Sequence, residues 1–265
     1  MTEAGPRRSR IDEYRAVLLD LPDPEPFALA HSGLPGPRAN LELIAVLAEL
    51  SDEVTLRRWA ALTPAEAPGD APPVVLAAAG IVGLGRFLHD RADLVERLHA
   101  LARDPRWRVR EAVAMAFQRA GTANPAALVG LLRPWAADPD ALVQRAVVAA
   151  LCEPALLRDA DVAARVLGVL DGITSSLVAR ADRRSEAVRV LRQTLGYGWS
   201  VAIVASPGIG KPAFERWLDV ADPDIRWMVR ENLGKARLRR LDAQWVEASR
   251  ARLLVPIAGK GESPA

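Results

Sequence analysis

One octet recurs in this chain almost residue for residue. Asp104-Pro-Arg-Trp-Arg-Val-Arg-Glu111 returns, 120 positions later, as Asp224-Ile-Arg-Trp-Met-Val-Arg-Glu231. Recurrence inside one chain means that a supersecondary unit has been stacked, each copy burying an apolar face on its neighbours. The unit is helical. After Trp107 the apolar positions run Val109, Val113, Ala116 and Ala120. After Asp138 they run Val143, Val147, Ala150 and Leu151, and in the second octet Ile225, Val229, Leu233 and Ala236. Each set traces one face of a helix, whereas the alternation that marks strands is nearly missing.

Three Asp-Pro dipeptides, Asp104-Pro105, Asp138-Pro139 and Asp222-Pro223, precede these helices. Aspartate accepts hydrogen bonds from the first free N–H groups of a helix and proline suits its first turn, so each dipeptide predicts a helix start. Preceding helices are expected at Ala92–Arg103, Pro125–Ala137 and Pro212–Ala221. The result is helix, short turn, helix, the hairpin of an α-solenoid. Glu186-Ala-Val repeats Glu111-Ala-Val at an offset of 75 and marks another second helix. The Asp-Pro turns stand 34 and then 84 positions apart, the latter being two units of about 42. Residues 1–9 and 256–265 read as disordered tails around a single repeat domain, 10–255. A proline-rich cap extends to about 40, and the clearest repeats lie over 90–240. The breaker segment Thr63–Pro73 precedes the most apolar run, Val74–Leu84. That run is too short to cross a bilayer and reads as a buried helix.

The Asp-Pro turn followed by Val-Arg and an apolar helix face resembles the HEAT repeat. This resemblance implies an all-α fold, a right-handed α-α superhelix of HEAT-like helical hairpins. It also implies a ladder of Asp and Arg between units: Asp104 with Arg110, Asp138 with Arg145, and Asp222 or Asp224 with Arg230. Such arrays hold a protein partner on a concave surface lined by the second helices, and most have no chemistry of their own. A weaker resemblance is to the bacterial alkylpurine DNA glycosylases built from HEAT-like repeats. It rests on Asp104 with Trp107, Asp224 with Trp227, and the nearby Arg103, Arg106, Arg108 and Arg110. It implies a nucleic-acid partner, because arginine clamps phosphates and an indole packs on an exposed nucleotide.

The same Asp and Arg serve the ladder that the first resemblance implies, and any attraction to nucleic acid must be local. With 35 basic and 33 acidic residues the net charge is +2, too small for a global pull on nucleic acid or an anionic membrane. Only Lys211, Lys235 and Lys260 are lysine, and the arginine and alanine excess reads as the codon bias of a GC-rich bacterial genome. Cys152 is the single cysteine, which suits a reducing cytoplasm. Arg7, Arg8 and Arg10 precede no apolar segment, so no secretory signal is expected.

No catalytic set, metal site or cofactor is expected. His31, His89 and His99 fall on no metal-ligand spacing. Val201-Ala-Ile-Val-Ala-Ser-Pro-Gly-Ile-Gly-Lys211 is not a phosphate-binding loop, since Ala205 and Pro212 replace residues that motif needs; it reads as a helix end followed by a helix starting at Pro212. The densest basic run, Lys235-Ala-Arg-Leu-Arg-Arg240, complements a helix dipole. Seven tryptophans against two tyrosines are unusual. The candidate binding residues, on a concave or exposed surface, are Arg106, Trp107, Arg108, Tyr197, Trp199, Arg226 and Trp227.

Overall fold

The Asp-Pro turns place the helix starts by a shared geometry. In each, the aspartate Oδ1 accepts the N–H two residues on: Arg106 to Asp104 at 2.8 Å, Asp140 to Asp138 at 2.8 Å, Asp224 to Asp222 at 2.9 Å. At Asp222 this bond is also the helix cap. At the other two the helix begins later, at Trp107 and at Ala141, the latter capped by Asp140 through the Leu142 N–H. The expected start at Asp138 is therefore displaced by two residues.

A computed structural model describes residues 9–254 of the chain. These are all-helical, with no strand, as expected of a HEAT-like α-solenoid. The chain divides into two compact units, Met1–Ala120 and Gly121–Ala265. Of the expected tails, 1–8 and 256–265 lie outside the described residues, while Ser9 caps the first helix.

The first unit holds α1 (Arg10–Leu19), α2 (Glu25–Ala30), α3 (Leu41–Leu50), α4 (Glu53–Ala60), α5 (Val74–Leu84), α6 (Ala92–Leu101) and α7 (Trp107–Gly121, ending at the boundary). Its centre is α5, apolar on all sides and buried at every residue, as a helix without a polar face must be. Helices α3 and α4 pack on it. Gly80 sets how closely α4 approaches: a Cβ there would stand 2.6 Å from both the Ala60 nitrogen and the Leu56 carbonyl oxygen. The expected proline-rich cap contains α2, whose Glu25 accepts the Trp59 indole N–H at 2.7 Å.

The second unit holds α8 (Pro125–Ala136), α9 (Ala141–Leu151), α10 (Ala160–Ala179), α11 (Glu186–Ala205), α12 (Pro207–Glu215), α13 (Pro223–Leu233), α14 (Ala236–Leu241) and α15 (Ala243–Leu254). Its centre is α11, packed by α9, α10, α12 and α13. Buried Asn232 of α13 joins it to α11, accepting the Ser200 N–H at 2.8 Å and donating to the Leu195 carbonyl at 2.9 Å. Gly198 leaves room for Val148 and Cys152 of the neighbouring helix end. Burial pushes the Cys152 thiol up to about 12. Helix α10 is long and apolar enough to cross a membrane, yet Val162, Val166, Leu170, Ile173 and Leu177 are buried in this unit. The chain from Val201 is helical, and α12 begins at Pro207, with Pro212 inside it rather than at its start.

Asp222 is held by Arg183 at 2.6 Å, not by Arg230. Arg230 lies eight residues along the helix, about 12 Å of rise away, and is exposed. Burial alone would raise the Asp222 carboxyl, but Arg183 and the Ile225 and Asp224 N–H groups bring it below the usual aspartate value.

Two outcomes are expected. Gly80→Ala should cost about 1–3 kcal/mol in urea unfolding, because the new methyl meets backbone that cannot rotate away. The Asp222 contribution is fully present above the unfolded aspartate value of about 4 and is lost as pH falls through the lower folded value. Asp222→Asn should therefore flatten the acid side of the stability profile relative to the parent chain, measured by thermal unfolding at stepped pH. Asp171, which burial raises, has the opposite sign in both proteins and cancels in the comparison.

Candidate functional site

Trp107 is the first residue of α7, and the residues beside it are fixed inward. Arg106 forms a bidentate pair with Asp104, Nε to Oδ1 at 2.8 Å and Nη2 to Oδ2 at 2.7 Å, with both side chains buried. Its remaining nitrogen donates to the Thr63 and Ala67 carbonyls at 3.2 and 3.0 Å. Arg108 donates to the Gly69 carbonyl at 2.7 Å, the Asp70 carboxylate at 2.6 Å and the Gly36 carbonyl at 3.2 Å. The breaker segment Thr63–Pro73 is thus pinned to the start of α7 by two arginines. Between them the Trp107 side chain turns outward, 52% exposed, with the Arg108 guanidinium 4.4 Å from its ring centre. A large apolar side chain left in water on so constrained a backbone is the kind of group that anchors an interface.

Beside it is a cleft of about 330 Å³. Ile44 from α3, Val74, Val75 and Ala78 from α5, and Ala112 and Met115 from α7 form its apolar walls. Leu41, 56% exposed, shares the rim with Trp107. Leu41 is apolar at the exposed start of α3, where Asn40 caps through the Leu43 N–H at 3.1 Å. Arg38 and Glu111 supply the charges at the mouth. Sequence reasoning missed Leu41, Arg38 and Met115, because the cleft joins three separate segments and no spacing in the chain announces it.

The second octet is built otherwise. Asp224 binds Arg192 at 2.5 Å and Arg183 at 3.1 Å. Arg226 donates to the Leu253 carbonyl. Trp227 is half-buried, lying against Gly196 of α11, with the Arg192 guanidinium 4.7 Å from its ring centre. A Cβ at position 196 would come within 2.9 Å of that indole, so glycine is what admits it.

Several candidates change role. Arg106 and Arg108 are buried and bound within the first unit, so they are brackets rather than exposed contacts. Trp199 is fully buried, its indole N–H donating to Thr174 Oγ1 at 3.0 Å, because it lies on the core side of α11. Tyr197 is half-buried. In the expected ladder, Arg110 donates to the Asp104 and Pro105 carbonyls at 2.7 and 3.0 Å. Asp138 closes its own turn, and Arg145 is half-buried on α9. Of the candidates, Trp107 alone combines full membership of a cleft with an exposed apolar side chain. No group of His, Cys, Asp and Glu suited to a metal ion occurs among the described residues.

Residues 65–152 match a family model described as HEAT repeats. The match includes the Asp104 turn, all of α7 and most of the cleft's α5 and α7 walls. No curated protein and no solved structure matches the chain. The match to HEAT repeats carries no likeness to the repeat-built glycosylases.

The two roles separate by substitution. Arg106→Leu leaves Asp104 buried without its cation and should destabilise the chain by about 3–5 kcal/mol. Trp107→Ala, at an exposed position, should change stability by less than about 1 kcal/mol in the same urea titration.

Proposed function

We propose that the chain is a non-enzymatic HEAT-repeat scaffold that holds a protein partner, and that the cleft beside Trp107 receives an apolar side chain of that partner. The observation that carries this reading is the exposed Trp107 indole at the rim of an apolar cleft, within a segment matching HEAT repeats, which generally mediate protein interactions. Its neighbours are fixed before any partner arrives, so little side-chain freedom remains to be lost on binding. The lone Cys152 is buried and suits a reducing compartment, and the reading places the scaffold in the cytoplasm.

Duplex DNA is the competing partner, and three arginines of the octets are occupied. Arg106 and Arg108 are bound to carboxylates and carbonyls, and Arg226 to a carbonyl. A duplex titration at stepped salt should accordingly show no steep fall of log affinity with log salt.

The direct test replaces Trp107 with a photo-crosslinking amino acid in the native cell and identifies the attached protein. Trp107→Ala should then weaken the purified complex at least tenfold, and Leu41→Glu should do the same. An attached protein whose affinity is indifferent to both substitutions would sink the proposal, as would tight salt-dependent duplex binding.

A further inference from the structure

A second surface lies in the unit Gly121–Ala265. Between α8 and α10 runs a groove of about 720 Å³, with Gly130 on α8 and Gly168 and Gly172 on α10 along it. All three glycines are exposed, and a Cβ at any of them would meet nothing within 4 Å. The groove is also cationic. Arg133 and Arg165 line it, both exposed and neither in an ion pair or hydrogen bond among the described residues. Arg180 lines one end, held by the Pro139 carbonyl at 2.7 Å and Asp182 at 3.0 Å. The lining aspartate, Asp138, is engaged in its own turn, and Asp171 of α10 is committed to Arg216 and Trp217.

On α10 the large apolar residues are buried in this unit apart from Val169 and Val178. Val169 borders the groove. An apolar helix flank, open glycines and two arginines without partners make a seat of defined chemistry. Glycines let a second backbone come close, and the arginines require carboxylates on either side of it.

We propose that this groove binds an amphipathic helix of a partner protein, with small apolar residues on the inserted face and glutamate or aspartate along its flanks. Recognition is of the helix-in-groove kind, steered by the arginines. A concave seat of this volume favours a helix over the flat surface of a bilayer.

The probe is a fluorescent helical peptide with an alanine and leucine face and glutamate flanks, beside the same peptide with lysine flanks, titrated into the full chain by anisotropy. The glutamate peptide should bind saturably and the lysine peptide at least tenfold more weakly. Gly168→Leu and Gly172→Leu fill open space without changing charge; each should retain the parent melting curve yet weaken binding at least tenfold. Arg133→Glu with Arg165→Glu should reverse the preference toward the lysine peptide. Lack of saturable binding by the glutamate peptide overturns the proposal. So does affinity unchanged in the glycine variants, which would mean charge attraction alone. Co-sedimentation with phosphatidylserine vesicles in place of peptide binding would assign the surface to a membrane instead. Probe and variants touch only this unit, so failure here leaves the cleft beside Trp107 standing, and the converse also holds.

Discussion

A carboxylate at a helix start must satisfy several demands at once, and both units are organised around how it does so. Backbone N–H groups at the beginning of a helix lack intrahelical acceptors, and when the start is buried they need one supplied. Asp222 supplies it at the start of α13 and Asp104 closes the turn just before α7, and each carboxylate, largely shielded from water, needs a cation. Arg106 and Arg183 provide it; Arg106 also reaches carbonyls of the Thr63–Pro73 loop, and Arg183 the Leu177 and Val178 carbonyls in the last turn of α10. At Asp104 one short motif therefore leads into a helix, neutralises its own charge and fastens a loop. The rigidity of the Trp107 surroundings descends from that chain of requirements.

The same octet leads to two different outcomes. In the first unit the residues on both sides of the indole are consumed by inward bonds and the ring is left in water. In the second, Gly196 opens a space on α11 and the ring packs into it. Near-identity of sequence over the octet does not fix the helix start, which is Trp107 in one copy and Pro223, one residue ahead of the octet, in the other. Nor does it fix what stands opposite, which depends on helices tens of residues away.

That dependence on distant helices explains how far the amino-acid sequence could be read. Helix type, the hairpin organisation and the burial of Val74–Leu84 were legible because they rest on periodicity and on Asp-Pro turns, which are local. The ladder partners were less so. Arg183 and Arg192 reach Asp224 across gaps of 41 and 32 residues, with no spacing to mark them. Trp199 carries no local sign of its burial; it lies on the core side of α11, where Gly196 and Gly198 admit close neighbours. Pro212 looked like a helix start and lies within α12, the start having been taken by Pro207. The cleft and the glycine groove could not be seen at all, since each is made by the spacing between helices.

The burial of Cys152 has a use outside the fold. A thiol held at about 12 is scarcely ionised near neutrality, and the reactive species in alkylation is the thiolate. The parent chain should thus behave toward maleimides almost as if it carried no cysteine. Any cysteine placed on the surface, at the rim of the cleft or along the glycine groove, would be the single addressable handle for a spectroscopic label, with no need to remove the native one.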